Sequence, residues 1–413
     1  MSPGDLSPPQ RDAFTGLRGL AALTVVAVHV QHLATPPEPV HIRFVSAILS
    51  TLPAAITVFF VLSGYLVYRR FARAHAEGRQ VDVRGYASRR LVRIVPTYWF
   101  VLFTCGLVFP AAQVLGADGT IEITRLTDPV VLLIDALMLQ AYMPSTVSTG
   151  IAAAWTLTTE VTFYAVAALV GIGAGALISR RSPRWLIWLP PALLVVVGIG
   201  VKLLDLAGVF GAGPLHHLTL LSFPFNADAF GFGMGLAVAE VLYAGRQRTV
   251  AGQPWQRFAA GGVVLAPAVF IAGMVLAAPY AVMTLIAAVA ATTVMALIRF
   301  PRPGADSHVT ALLGVPWLVR VGFWSYALYL WHGPIIRVAA KAGLTQPGAG
   351  GFVVNLVGVL AVSLVLSALT HRWLEIPVLT LARRGEPRPR AALRTTEQHA
   401  TEQLSDVRAS AVW

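Results

Sequence analysis

The chain has 413 residues, 56% of them hydrophobic and 12% charged, with a mean hydropathy of +0.69. Soluble chains carry about 25% charged residues, so an ordinary soluble globule is excluded and the lipid bilayer is this chain's main solvent. The net charge of +12 would point to nucleic acid in a soluble domain, but the cations cluster in loops beside apolar runs, as cytoplasmic membrane loops do, so no nucleic-acid partner is expected.

The opening MSPGDLSPPQRDAF has acids, prolines and no apolar run, unlike a cleavable signal peptide, so the first span is expected to stay in the mature protein. A spanning helix needs about 20 apolar residues. Runs of that kind occur at 17–33, 52–68, 94–115, 152–178, 185–201, 218–243, 258–278, 281–298, 321–340 and 353–382. The stretch RRFARAHAEGRQVDVRGYASRRLVR, from Arg69 to Arg93, is the richest in cations and is placed in the cytoplasm, which puts the N-terminus there too. The run 130–142 has only about half to two-thirds of a spanning length. Counting it as a span would move RRSPR, around Arg181, and every later basic loop to the wrong side, so it is read as re-entrant or interfacial. Cys105 is the one cysteine and lies inside an apolar run, which leaves no internal disulfide and no cysteine-based metal site. The prediction is an all-α polytopic membrane protein of about ten transmembrane helices with both termini cytoplasmic. It comprises an N-terminal segment 1–13, a membrane domain 14–384 and a polar, disordered cytoplasmic tail 385–413.

Ionisable side chains are costly in lipid, so those inside the spans are the first functional candidates. Arg18 and His29 share the first span; eleven residues are close to three helical turns, so the two lie on nearly one face, roughly 16 Å apart. Arg18 reads either as a snorkelling cation or as a site residue, and His29 either as a core histidine or as a general base. Arg90 and Arg93, three apart in SRRLVRIVP, point from one helix face at the cytoplasmic boundary; they suit phosphate, or simple positive-inside anchoring. Glu160, in AAWTLTTEVTFYAVA with Trp155 before it and Tyr164 after it, either orients an imidazole or pairs with an arginine. His332, between Trp331 and Gly333-Pro334, either caps carbonyls that the proline frees or lines a site. Trp155, Tyr164 and His332 are the candidates for substrate contact. The Ser63-Gly64 pair allows close helix approach; Ser63 has no evident local base, and the roles of Asp228 and Glu240 stay open.

Together these segments resemble the acyltransferase family 3 membrane proteins from Phe14 to Pro377. The markers are FTGLRGLAALTVVAVHV, FFVLSGYLV, RRLVRIVPTYW, WTLTTEVTFY, SYALYLWHGPI and WLEIP, in that order. The resemblance implies an acyl-coenzyme A donor, with acetyl-coenzyme A expected, loaded from the cytoplasm and needing no metal. It implies that Arg90 and Arg93 hold the donor's phosphates, that Arg18 assists near it and that His29 acts in acyl transfer. Two places depart from the family's pattern. Ile376 stands where an arginine is frequent, which removes an ion pair from Glu375, and Thr156 replaces a serine after Trp155. In the reaction so expected, His29 takes the proton of a hydroxyl on a sugar, glycan or macrolide-type natural product while Glu160 steadies the imidazolium; a covalent acyl-histidine is the other route. The rival class is a proton-coupled transporter with His29, Glu160 and Asp228 as its relay. Either way the protein is expected in the cell membrane as a multi-pass protein.

Overall fold

The computed structural model describes residues 6–34, 55–79, 81–116, 120–177, 184–243, 279–300 and 308–384. The expected span 258–278 and the tail 385–413 lie outside them. Helix α1 runs over Pro8–Ala34 and α2 over Ala55–Ala76. α3, Val83–Phe103, continues into a π-turn, Thr104–Val108. A hairpin follows, β1 (Ala112–Leu115) paired antiparallel with β2 (Ile121–Thr124), with Ala112 opposite Thr124. Then come α4 (Pro129–Ala136), α5 (Trp155–Leu177), α6 (Leu189–Leu206), α7 (Pro214–Leu221) and α8 (Phe223–Tyr243). α9 (Tyr280–Arg299), α10 (His308–Leu313), α11 (Pro316–Lys341), α12 (Gly348–Thr370) and α13 (Ile376–Arg384) complete the described chain.

The protein is an all-α polytopic membrane protein. Eight helical stretches among the described residues are long and apolar enough to cross a bilayer. α11, with 26 residues, is long enough as well but carries Arg320, His332 and Arg337; Ser325 and His332 are buried in the bundle, Arg337 is half-buried, and Arg320, near the start of the helix, is exposed. α12 shows the same logic inside out. Val353, Val354, Val357 and Val365 are exposed on it while Asn355, Ser363 and Ser367 are buried, so the apolar face meets lipid and the polar face meets protein.

Two features depart from the expected spans. The basic stretch from Arg69 to Arg93 is mostly helix: α2 continues to Ala76, and α3 starts at Val83 with Asp82 accepting from the Gly85 amide. Arg90 and Arg93 therefore sit in the second and third turns of α3 rather than at its start. The span expected to reach residue 115 instead ends in the π-turn, and its last residues form β1. The run 130–142 does not form a span, as expected from its length. Asp128 caps α4 by accepting from the Val130 and Val131 amides, and the helix stops after eight residues, far short of spanning length. Asp135 is buried near its end, with Thr149 donating to its carboxylate at 3.0 Å, and burial pushes this carboxyl up to about 7.

Two close helix pairs frame the interior. α1 and α11 run parallel, Thr15 meeting Gly322, Arg18 meeting Ser325 and His29 meeting His332. A Cβ on Gly322 would fall 1.9 Å from the Thr15 carbonyl oxygen, and one on Gly64 in α2 would fall 2.2 Å from that of Phe230 in α8. Small residues admit this backbone approach, which drives association where lipid removes the hydrophobic contribution. Around them Phe60, Phe163 and Phe230 stack in a buried column, with ring centroids 4.8 and 4.2 Å apart.

Candidate active site

α1, α2, α3, α5 and α11 enclose a cavity of about 770 Å³ including its open mouth. Helical spacing aims the polar residues of each helix into it. Arg18 comes from α1, Ser63 from α2, Arg90 and Arg93 from α3, Glu160 and Tyr164 from α5, and Ser325, Tyr326 and Tyr329 from α11. Ile56, Phe59, Phe60 and Leu157 form its apolar wall. Arg18 donates to the Ser325 hydroxyl at 3.1 Å. The Arg90 guanidinium lies 5.2 Å from the centre of the Tyr164 ring, a cation–π distance. Glu160 accepts from Ser63 at 2.5 Å and from the Tyr164 hydroxyl through the same oxygen. Three guanidiniums thus line the cavity beside a single carboxylate, an excess of positive charge that suits an anion with several oxygens.

His29 and His332 form a second centre. Their ring nitrogens, Nδ1 of His29 and Nε2 of His332, are 3.0 Å apart. His332 is buried and its Nδ1 lies 3.2 Å from the Leu328 carbonyl oxygen. The Tyr329 ring links the two centres, because it lines the cavity and its centroid is 5.6 Å from that of His332. Tyr329 in turn bonds to Thr156 at 2.7 Å and donates to the Ala153 carbonyl. The far end of α11 is held by the hairpin, with Lys341 donating to the Ile123 carbonyl at 2.6 Å. The order along α11 is therefore arginine cavity, histidine pair, hairpin.

A family model described as an acyltransferase domain matches residues 11–372. The chain belongs to acyltransferase family 3. Acyltransferase MdmB of Streptomyces mycarofaciens is 26% identical over 402 residues, covering 91% of this chain and 93% of that one. The exopolysaccharide production protein ExoZ of Rhizobium meliloti (strain 1021) is 28% identical over 338 residues, covering 81% of this chain and 91% of its own. No solved structure matches the chain. The protein is thus a membrane enzyme that transfers acyl groups.

In this acyltransferase the expected site residues separate into two groups. Arg18, Arg90, Arg93, Glu160 and Tyr164 share the cavity, whereas His29 and His332 pair beyond it. Trp155 stands behind the wall, edge-on to Phe60 at 6.4 Å. Of the two roles open to Glu160, neither an imidazole nor an arginine bonds to it among the described residues: Ser63 and Tyr164 hold its carboxylate, and His332 meets His29. The carbonyl that His332 meets is Leu328's, one residue pair before the Leu330 carbonyl that Pro334 leaves without its helical partner. Ser63 gains its acidic neighbour from a helix 97 positions away in sequence. Ser325, Tyr326 and Tyr329 escaped the sequence reading. Ser325, Tyr329 and His332 lie at i, i+4 and i+7, a polar stripe on one helix face that could have found them.

Several other charges in the spans pair with one another. Lys202 meets Asp228 at 2.6 Å. Glu240 accepts from Tyr65 and from Arg69, with Arg73 at 3.2 Å and Arg299 at 3.3 Å. Among the described residues Glu160 and Asp228 have separate partners, Ser63 with Tyr164 for the one and Lys202 for the other. Glu375, deprived of a neighbouring arginine by Ile376, instead meets His371 at 2.6 Å.

Proposed function

We propose that the enzyme takes an acyl group of acetyl size from acyl-coenzyme A and passes it to a hydroxyl of a sugar, glycan or macrolide-type natural product at the cell membrane. The observation that carries this reading is the convergence of Arg18, Arg90 and Arg93 on one cavity whose other wall is apolar. Guanidiniums match phosphate oxygens, and an apolar wall suits the donor's pantetheine arm. His29 lies roughly 16 Å farther along α1, a separation that fits a donor gripped at one end and reacting at the other. There His29 takes the proton of the acceptor hydroxyl, the oxygen attacks the thioester carbonyl, and the coenzyme leaves as thiolate. The names of the two relatives, an acyltransferase and an exopolysaccharide production protein, support acyl transfer and a carbohydrate acceptor respectively.

The deciding experiment is coenzyme A release by purified protein in detergent, given acetyl-coenzyme A and a panel of hydroxylated acceptors, beside His29→Ala. Acceptor-dependent release that the variant loses is expected. Equal release from both would remove His29 from the reaction, and uptake of a substrate into proteoliposomes without thioester consumption would overturn the reading.

A further inference from the structure

The histidine pair determines its own protonation pattern. Nδ1 of His332 lies 3.2 Å from the Leu328 carbonyl oxygen, and its Nε2 lies 3.0 Å from Nδ1 of His29. A carbonyl oxygen only accepts, so the nitrogen facing it carries the hydrogen. A neutral imidazole has one N–H, and a charged one is costly at this depth. Nε2 of His332 is then an acceptor, Nδ1 of His29 must be the donor facing it, and the lone pair of His29 falls on Nε2.

We propose that His332 is a positioning residue of the acyl transfer, holding His29 in the Nδ1–H tautomer so that Nε2 of His29 is the atom that takes the acceptor's proton. The inference rests on the reading of His29 as base given above. The bonds survive the reaction: when Nε2 of His29 gains the hydroxyl proton, Nδ1 keeps its own hydrogen and still donates to His332. A base oriented by a third group is the logic of the serine hydrolase triad, where a carboxylate plays that part and loss of the correct tautomer is very damaging. Here a second imidazole, itself fixed by the helix backbone of α11, does so without a net charge. Glu160, the carboxylate that the sequence offered for this role, is occupied in the arginine cavity.

The test compares His332→Gln, whose side-chain oxygen can accept where Nε2 did, with His332→Phe, which fills the space but accepts nothing. Turnover and donor KM are measured with acetyl-coenzyme A, and ¹⁵N-histidine spectra of the parent, with His29→Gln to assign the signal, report the His29 tautomer. The Phe variant is expected to lose about a hundredfold or more in kcat, the scale of general base catalysis, with donor KM little changed. The Gln variant is expected to recover to within about tenfold of the parent, since it restores the acceptor that fixes the tautomer. The parent spectrum should show His29 protonated at Nδ1. A parent His29 protonated at Nε2 alone, or equal kcat in parent and Phe variant, would overturn the proposal. If the parent transfers no acyl group at all, the reading of function falls while the ¹⁵N spectrum still decides the tautomer.

Discussion

Arg90 and Arg93 carry the most direct consequence for a single side chain. Each can make charge-assisted, two-pronged hydrogen bonds worth about 1.5–3 kcal/mol, so Arg90→Ala or Arg93→Ala should raise the acyl donor's KM about tenfold to a hundredfold with kcat nearly unchanged. Lysine at either position restores the charge without the fork and should recover only part of the loss. Initial rates against donor concentration check both. Asp135 gives a pH dependence of opposite character. Its carboxyl sits near 7 in the folded protein because it is buried, against about 3.9 in an unfolded chain. Between those values the folded state holds a proton that the unfolded state has lost, so this residue's contribution falls as pH rises from about 4 to 7 and levels off above. Unfolding midpoints measured from pH 5 to pH 8 should therefore drop for the parent relative to Asp135→Asn; a constant difference would refute it. Sequence reading found the arginines and Glu160 because lipid makes charge conspicuous. It did not find the His29 and His332 contact, since those residues are 303 positions apart and periodicity gives a helix face but not the helix opposite.

The helices rest on backbone proximity, and two glycines of α11 separate packing from propensity. Gly322→Ala would place a methyl 1.9 Å from the Thr15 oxygen, whereas a Cβ at Gly333 meets nothing within 4 Å. Gly322→Ala is expected to lower the unfolding temperature and the yield of monodisperse protein; Gly333→Ala should be neutral or stabilise by up to about 1 kcal/mol, the ordinary gain of alanine over glycine in a helix. Similar behaviour of the two variants in fluorescence-detected size exclusion would contradict the close packing of α1 against α11. Element lengths were partly legible in the sequence. α4 was readable as too short because its apolar run and the charge pattern agreed. β1 was not, because Ala112–Leu115 continue the apolar run of α3 and nothing in hydropathy marks where helix gives way to strand.

For the molecule as a whole, the placement of cations predicts sides: the end of α2 and the start of α3 are expected in the cytoplasm and the β1–β2 hairpin on the opposite side. Glu77, after α2, and Glu122, on β2, are exposed, and Cys105 is buried, so cysteines introduced one at a time report against a silent background. A membrane-impermeant maleimide added to intact cells should label Glu122→Cys and spare Glu77→Cys, with the reverse in inverted vesicles. Reversal of that pattern would invert the topology and place the arginine cavity toward the wrong compartment for a cytoplasmic acyl donor.

The parallel contact of α1 with α11 has a further consequence in time. α1 is among the first segments to emerge from the ribosome, yet the partners of Arg18 and His29 lie 307 and 303 residues later. At about 5–20 residues per second, α1 waits on the order of 15–60 s for α11, with an arginine and a histidine in its membrane segment. Synthesis of this enzyme therefore passes through a long stage in which most of the bundle is inserted and the contacts of Arg18 with Ser325 and of His29 with His332 do not yet exist.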